Sequence, residues 1–182
     1  MSAAAVILAA GFSRRLGRAK QTLTLGGEML VERAARTAIE AGLSPVLVVV
    51  NRDADFCKAL EQRGCSVVMN ELAAEGMASS IRCGINAAET FRASGALLMT
   101  CDQVELDVDH LRQLIKKPAQ ITASMYAGRK GIPAYFPASV FAQLLLLQGD
   151  VGARDVLRTA EAIRNESLSV DIDTEADAAT LA

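Results

Sequence analysis

Histidine, net charge and long apolar runs are scarce in this chain, and each scarcity removes a class of function. The sequence has one histidine and shows no serine, histidine and acid arrangement for nucleophilic catalysis. The formal net charge is −2, which gives no general attraction to nucleic acid or to anionic lipid. No apolar run approaches the ~20 residues of a membrane-spanning helix. We therefore expect neither nucleic acid nor a membrane among the partners.

Cysteine pairing motifs and linkers are absent as well. The four cysteines form no C-x-x-C pair and stand in apolar sequence, as reduced core thiols do: Cys57, Cys65, Cys83 and Cys101. A strand begins after three or four residues, which leaves no room for a signal peptide. No low-complexity stretch divides the sequence, of which 51% is hydrophobic. We expect a cytoplasmic protein in which residues 1–182 form a single domain.

The most informative segment joins an apolar strand to a basic, glycine-containing loop. Residues 4–9 carry no charge and predict a strand covered on both faces. Gly11 and Gly17 allow backbone conformations that a β-carbon hinders, so that amide N–H groups can turn inward. Four cationic side chains follow: Arg14, Arg15, Arg18 and Lys20. The loop predicts a phosphate site, with a triphosphate as the natural ligand.

Two common nucleotide motifs do not fit this loop. A Walker loop needs Gly-Lys-Ser/Thr, whereas Lys20 follows alanine and precedes Gln21. A dinucleotide fingerprint needs a second glycine two residues after Gly11, and that residue is Ser13. A basic surface loop without function is the structural alternative.

Strands and helices alternate along most of the chain. The first strands are predicted over residues 4–9, 45–50, 65–69 and 96–101, with helices over 29–41, 54–63 and 77–91. Further strands are predicted over 121–126, 132–136 and 168–172, with helices near 139–147 and 153–163 and a final helix capped by Thr174. The alternation predicts a three-layer α/β/α sandwich with a Rossmann-like, mostly parallel sheet. His110 is expected on a helix surface.

Polar residues follow several strands, where ligands of parallel sheets gather. Asn70 ends one strand, and Ser79 and Ser80 open a helix whose free N–H groups can face a ligand or receive an ordinary serine cap. Asp102 directly follows a buried strand, where it can bind a divalent cation or cap the next helix. Asp171 and Asp173 share a strand face, and only the one nearer the strand end reaches a pocket.

Taken together, these segments resemble the MocA group of MobA-like nucleotidyltransferases, the molybdenum cofactor cytidylyltransferases. The loop resembles the superfamily signature L-A-A-G-x-S-x-R-M-G-x-x-K, with Leu16 in place of methionine. The other matching segments are G-M-A-S-S-I-R-C-G at 76–84, C-D-Q at 101–103, G-x-P at 131–133, G-D-V-G-A-R at 149–154 and D-I-D-T at 171–174. The resemblance runs nearly end to end.

This resemblance implies a nucleotide-diphospho-sugar transferase-like fold and transfer of CMP from Mg-CTP to the terminal phosphate of molybdopterin bearing molybdenum, with a molybdoenzyme as recipient of the product. It implies these nucleotide-binding residues: Leu8, Ala9, Ala10, Gly11, Ser13, Arg14, Arg15, Lys20, Asn70, Ser79 and Ser80. The implied catalytic residues are Arg15, Lys20 and Asp102, and the implied Mg²⁺ ligands are Asp102 and Asp173.

Three positions bear on the substrates. Related guanylyltransferases read L-A-G-G, so the methyl group of Ala10 leaves less room for a purine and favours cytosine. Ile132 stands where the family's G-H-P motif has histidine, and Val104 stands where proline commonly follows C-D-Q. GTP, another phosphorylated acceptor, and a non-catalytic nucleotide-binding or cofactor-delivery protein are therefore alternatives.

Overall fold

The structure is a computed structural model that describes residues 2–13, 19–150 and 152–170. Its strands are β1 (Ala3–Leu8), β2 (Thr24–Leu25), β3 (Glu28–Met29), β4 (Val46–Val50), β5 (Ser66–Met69), β6 (Gly95–Thr100), β7 (Thr122–Tyr126), β8 (Arg129–Pro137) and β9 (Glu161–Arg164). Its α-helices are α1 (Leu30–Glu40), α2 (Cys57–Gln62), α3 (Met77–Thr90), α4 (Val108–Leu114) and α5 (Phe141–Leu145). Short 3₁₀ helices cover Lys20–Thr22, Ala73–Glu75, Ala138–Val140, Val156–Thr159 and Glu166–Ser169.

Seven strands form one sheet in the order β5-β4-β1-β6-β8-β7-β9, while β2 and β3 form a separate hairpin. Strand β1 runs parallel to both of its neighbours, and Leu8 at its end pairs with Val49 of β4 and with Thr100 of β6. Strand β8 is antiparallel to β6 and β7, whereas β9 is parallel to β7. The loops that follow β1 and β6 therefore start side by side at one edge of the sheet.

Two apolar clusters cover the two faces of the sheet, because successive side chains of a strand point in opposite directions. Ala5 and Ile7 of β1 belong to the cluster formed with α1, α2 and α4. Ala4 and Val6 belong to the cluster formed with α3 and α5. Gly84 brings α3 close to the sheet, since a β-carbon there would lie 2.3 Å from a methyl group of Val6. The predicted three-layer sandwich with a mostly parallel sheet is confirmed.

Two predicted elements near the C-terminal end are wrong. Residues 153–163 were expected to be helical, but they hold the Val156–Thr159 turn and the start of β9, because pairing with β7 overrides the helix preference of Ala, Glu and Arg. The strand expected over 168–172 does not begin at Leu168, because Leu168 and Ser169 lie in a 3₁₀ turn at Glu166–Ser169, where Asn165 accepts the N–H of Ser167. Residues 171 and 172 of this predicted strand lie outside the described residues. The helix expected after Thr174 lies outside the described residues.

The four cysteines are free thiols, as predicted. Cys65 and Cys101 are buried, whereas Cys57 and Cys83 are only half-buried. Within the described part of the chain, no helix combines the length and the apolar character needed to cross a membrane.

The prediction of a surface position for His110 is wrong, because the residue is only 4% exposed. It lies in α4, which Asp107 caps by accepting the N–H of His110. Its Nε2 is 2.8 Å from Oγ of Ser124, whose hydroxyl donates to the carbonyl of Pro133. Since the hydroxyl hydrogen is already used, Nε2 must carry the hydrogen and donate it to Ser124.

Burial of His110 makes folding sensitive to mildly acidic pH. Burial lowers the pKa of this imidazole from its ordinary value, and the charge of Asp107 only partly opposes the effect. The unfolded chain therefore binds a proton more readily than the folded one. We expect the free energy of unfolding to hold above pH ~6.5 and to fall as the pH drops below it. Denaturant titrations at several pH values test this, with His110→Gln as the non-titrating control; an equal decline in the variant would contradict the role of His110.

Candidate functional site

A cleft of about 370 Å³ opens where β1 and β6 end, which is within the range of small-molecule sites. Seven of the residues predicted from the sequence line it: Leu8, Ala10, Gly11, Ser13, Lys20, Ser80 and Asp102. Three others, Ala9, Asn70 and Ser79, do not line it. The predicted site residues Arg14, Arg15 and Asp173 lie outside the described residues. One wall of the cleft comes from the segment after β1 and the other from the start of α3.

An ion pair inside the cleft joins the segment after β1 to the residue that follows the end of β6. Nζ of Lys20 lies 2.8 Å from Oδ2 of Asp102, and the two side chains are 16% and 22% exposed. The residues are far apart in sequence, and the adjacency of β1 and β6 brings them together. This ion pair therefore brings a cation suited to phosphate and a carboxylate suited to a hard metal ion into the cleft.

Ser13 ties the two ends of the basic loop together. Its Oγ accepts the backbone N–H of Lys20 at 2.9 Å. Ser13 has a φ of +46°, a left-handed conformation that L-residues adopt infrequently. The special backbone geometry expected at Gly11 is not present, because Gly11 is not among the residues with positive φ. A β-carbon at Gly11 would meet no atom of the described residues within 4 Å, so this part of the chain leaves space beside the glycine.

Two side-chain amides that the sequence did not single out hold the loop after β1. Nε2 of Gln21 donates to the carbonyls of Ala9 and Gly11, at 2.7 and 2.8 Å. Nδ2 of Asn51 donates to the carbonyl of Ala10 at 3.1 Å. Gln21 and Asn51 belong to no motif recognised in the sequence. The only signal in the sequence was the position of Gln21 directly after Lys20.

A buried polar group supports Ser80 on the opposite wall. Nδ2 of Asn70 donates to Oγ of Ser79 at 2.9 Å and to Oγ of Ser80 at 3.0 Å. The Ser79 hydroxyl donates to the carbonyl of Gly76, and Oδ1 of Asn70 accepts the N–H of Leu72. Only Ser80 of these buried polar residues lines the cleft. Asn70 and Ser79 therefore orient Ser80 from behind.

The first N–H groups of α3 do not face a ligand, which corrects the sequence-based expectation. The N–H of Met77 donates to Oδ1 of Asp150, and the N–H of Ala78 donates to the carbonyl of Gly149. The N–H of Ser79 donates to the carbonyl of Gly76, which is itself the N-cap residue, so neither serine caps the helix. Gly149 and Asp150, the first two residues of the G-D-V-G-A-R segment, thus contact the start of α3.

This contact requires glycine at position 76. A β-carbon there would lie 2.9 Å from the carbonyl oxygen of Gly149, and the φ of Gly76 is +106°. The contact also brings Asp150 to the cleft lining, a second carboxylate that sequence reasoning did not place in the site. The G-M-A-S-S and G-D-V-G segments are therefore two parts of one wall.

Cys101 and His110 do not act as nucleophiles in this arrangement. Burial, reinforced by the negative charge of Asp102, raises the pKa of the Cys101 thiol to about 12, although Lys20 works in the opposite direction. The thiol is therefore protonated and unreactive at neutral pH. His110 does not line the cleft and donates to Ser124 instead.

The carboxylate of Asp102 fits one mode of Mg²⁺ binding. Mg²⁺ commonly uses one or two carboxylates together with substrate phosphate oxygens. Among the described residues, no group of three or more His, Cys, Asp and Glu side chains is placed to hold a metal ion. A carboxylate paired with a lysine in the cleft is an arrangement suited to a metal that arrives with a phosphate-bearing ligand.

Comparison with known proteins places this geometry in a family. The model of the MobA-like NTP transferase domain matches residues 5–166. The purine catabolism protein PucB of Bacillus subtilis is 33% identical over 165 residues, which cover 86% of this chain and 80% of PucB. A protein of Opitutus terrae named probable molybdenum cofactor guanylyltransferase is 28% identical over 142 residues, covering 76% of this chain and 68% of that protein.

The fold also matches solved structures. A nucleotidyl transferase from Methanothermobacter superposes with a TM-score of 0.83 at 21% identity, covering 99% of this chain and 95% of that one. At that identity the likeness shows the fold alone. The family model and PucB each cover most of the chain, and the protein therefore belongs to the MobA-like NTP transferase family of nucleotidyltransferases.

Proposed function

We propose that this nucleotidyltransferase, as a single domain, transfers CMP from Mg-CTP to the terminal phosphate of molybdopterin bearing molybdenum and releases pyrophosphate. The observation that carries the proposal is the pair of Lys20 and Asp102 in the cleft, 2.8 Å apart, of which Lys20 follows the loop after β1 and Asp102 follows the adjacent strand β6. The name of the Opitutus terrae relative supports a molybdenum cofactor as acceptor. The cytidylyltransferase-like motifs support CTP.

The proposed reaction exchanges one phosphorus–oxygen bond for another. An oxygen of the acceptor phosphate attacks the α-phosphorus of CTP, and the bond from that phosphorus to the α,β-bridging oxygen breaks. The bonding electrons leave with pyrophosphate. No protein nucleophile is needed, which agrees with a protonated Cys101 and with a histidine outside the cleft.

Charge is the main obstacle in this reaction, because two anionic phosphates must meet. Lys20 lines the cleft and supplies a cation for the triphosphate. Asp102, with Asp173 as a proposed second ligand, would hold Mg²⁺, which neutralises charge on the α-phosphate and on the leaving pyrophosphate. Arg15 is proposed to share the phosphate clamp with Lys20. Positioning and electrostatic stabilisation would then supply most of the rate.

GTP remains the second candidate, since one relative is named a guanylyltransferase. Ala10 lines the cleft, and its methyl group is proposed to limit the size of the base. Ile132, which replaces the family's histidine, is half-buried and packs against the cluster around α3 rather than lining the cleft. Its carbonyl accepts the hydroxyl of Tyr126 and Nε2 of Gln103. Because Ile132 does not line the cleft, the assay below tests the acceptor separately from the nucleotide.

Replacing Ala10 by glycine should shift nucleotide preference. We expect the ratio of kcat/KM for GTP to that for CTP to rise about tenfold, because removal of one methyl group from a pocket is worth about that much. Steady-state kinetics with both nucleotides measure the ratio. Ala9→Gly is a matched control, since Ala9 and Ala10 are 2% and 3% exposed but only Ala10 lines the cleft. An unaltered ratio in Ala10→Gly would place specificity elsewhere.

The experiment that tests the proposed function is release of pyrophosphate by the purified protein. The assay contains Mg²⁺, each common nucleoside triphosphate in turn, and molybdopterin carrying molybdenum, with acceptor-free controls. Release confined to CTP plus acceptor supports both halves of the proposal. Release with GTP favours a guanylyltransferase, and CTP binding without release under any condition favours a non-catalytic carrier.

A further inference from the structure

Three consecutive carbonyl groups of the loop after β1 are held by side-chain amides. Gln21 binds those of Ala9 and Gly11, and Asn51 binds that of Ala10. Gln21 and Asn51 both line a second cavity of about 340 Å³, which borders the same loop, and Gln21 also lines the cleft. The loop is therefore anchored through its carbonyl oxygens.

A trans peptide is planar, and its C=O and N–H groups point in opposite directions. When Gln21 draws the carbonyl of Ala9 toward itself, the N–H of Ala10 must point away from Gln21. In the same way, the bond from Asn51 to the carbonyl of Ala10 turns the N–H of Gly11 away from Asn51. The two anchors thus set the direction of two backbone donors.

These donors are available for a ligand. Within the part of the chain that the structure describes, the N–H groups of Ala10 and Gly11 form no hydrogen bond. Both residues line the cleft, and the space beside Gly11 is open. Backbone donors in such loops are suited to the oxygen atoms of nucleotides.

The side chain of Gln21 is also unfavourable for stability, which indicates a role other than packing. It is 4% exposed, and its buried Oε1 has no hydrogen-bond partner among the described residues. A buried acceptor without a donor is unfavourable. Leucine would fill nearly the same volume without that cost, but it could not hold the two carbonyl groups. The glutamine is thus costly for stability and useful for the loop.

We infer that Gln21 and Asn51 are positioning residues, which orient the loop so that the N–H groups of Ala10 and Gly11 donate to the bound nucleotide. This inference rests on the proposed function, because it requires a nucleoside triphosphate in the cleft. It assigns to two uncharged residues outside the signature positions a share of nucleotide affinity.

The test compares Gln21→Leu with a matched variant elsewhere. Gln103 is also buried, also donates to two carbonyl groups, those of Ile132 and Leu168, and also has an Oε1 without a partner, but it does not line the cleft. Both leucine variants should lower the melting temperature. Only Gln21→Leu should weaken binding of Mg-CTP, by about ten- to a hundredfold, the worth of hydrogen bonds to a charged group.

A second variant keeps the test independent of folding defects. Asn51→Ser retains an oxygen that can accept the N–H of Asp53, as Oδ1 of Asn51 does, but it is too short to hold the carbonyl of Ala10. We expect it to raise KM for CTP severalfold with little change in kcat, because the donors bind ground state and transition state alike. Amide NMR spectra of the wild type should show CTP-dependent shifts at Ala10 and Gly11 that Gln21→Leu loses.

The outcomes separate this inference from the proposed function. Wild-type binding of CTP with unchanged affinity in both Gln21→Leu and Asn51→Ser overturns the positioning role and leaves the transferase proposal intact. An equal loss of affinity in Gln103→Leu also overturns it, since general destabilisation would then explain the effect. A wild-type protein that binds no nucleoside triphosphate overturns both.

Discussion

Replacement of Asp102 by alanine is expected to lower CMP transfer by about a thousandfold, the effect of losing a group that stabilises charge in the transition state. Asp102 is the described carboxylate that pairs with Lys20 in the cleft, and it would hold the Mg²⁺ of Mg-CTP. Affinity for CTP measured without metal should persist in the variant, because Lys20 and the loop are intact. Pyrophosphate release and metal-free calorimetry give the two quantities.

Two further variants sharpen this prediction. Asp102→Asn preserves the shape of the side chain and should lose nearly as much activity, because a neutral amide is a poor Mg²⁺ ligand. Asp109→Ala removes an exposed carboxylate of α4 outside the cleft and should leave activity unchanged. Normal turnover in either Asp102 variant would remove the metal role of this residue.

Lys20→Ala is expected to weaken CTP binding about a hundredfold and CMP binding less than fivefold, because the proposed role of Lys20 is to bind the β- and γ-phosphates. The ion pair adds a second expectation. Asp102 loses its partner in this variant, so the affinity for Mg²⁺ in the absence of nucleotide should rise. General unfolding would weaken the binding of both ligands, whereas this variant is expected to bind Mg²⁺ more tightly and CTP more weakly.

Calorimetry with CTP, CMP and MgCl₂ separately measures these changes. Lys117→Ala is the control, since Lys117 forms an exposed ion pair with Glu161 away from the cleft. An equal loss of affinity for CTP and for CMP in Lys20→Ala would contradict the proposed contact of Lys20 with the β- and γ-phosphates.

The sequence predicted the parts of this protein that local patterns determine. All-apolar runs located β1 and β4, helical spacing located α1, and the alternation of elements predicted the sandwich. Lys20 and Asp102 were recognised because each stands directly beside a strand end or in a signature. Their meeting at 2.8 Å follows from the pairing of β1 with β6.

Features that depend on distant contacts were missed. The strand β9 looked helical because its residues favour helices locally, and only β7 makes it extended. His110 looked polar and therefore exposed, but Ser124 provides a buried partner. Asp150 and Gln21 act on backbone groups of segments elsewhere in the chain, and no spacing rule reports such contacts.

The central place of β1 in the sheet has a consequence for synthesis. Leu8 pairs with Val49 on one side and with Thr100 on the other. The segment after β1 can therefore reach its final position only after β4 and β6 have been synthesised. A nascent chain that ends before β6 carries Lys20 but has neither Asp102 nor half of the support of β1. Nucleotide binding therefore becomes available only after β6 has been made, and shorter nascent chains should not retain CTP.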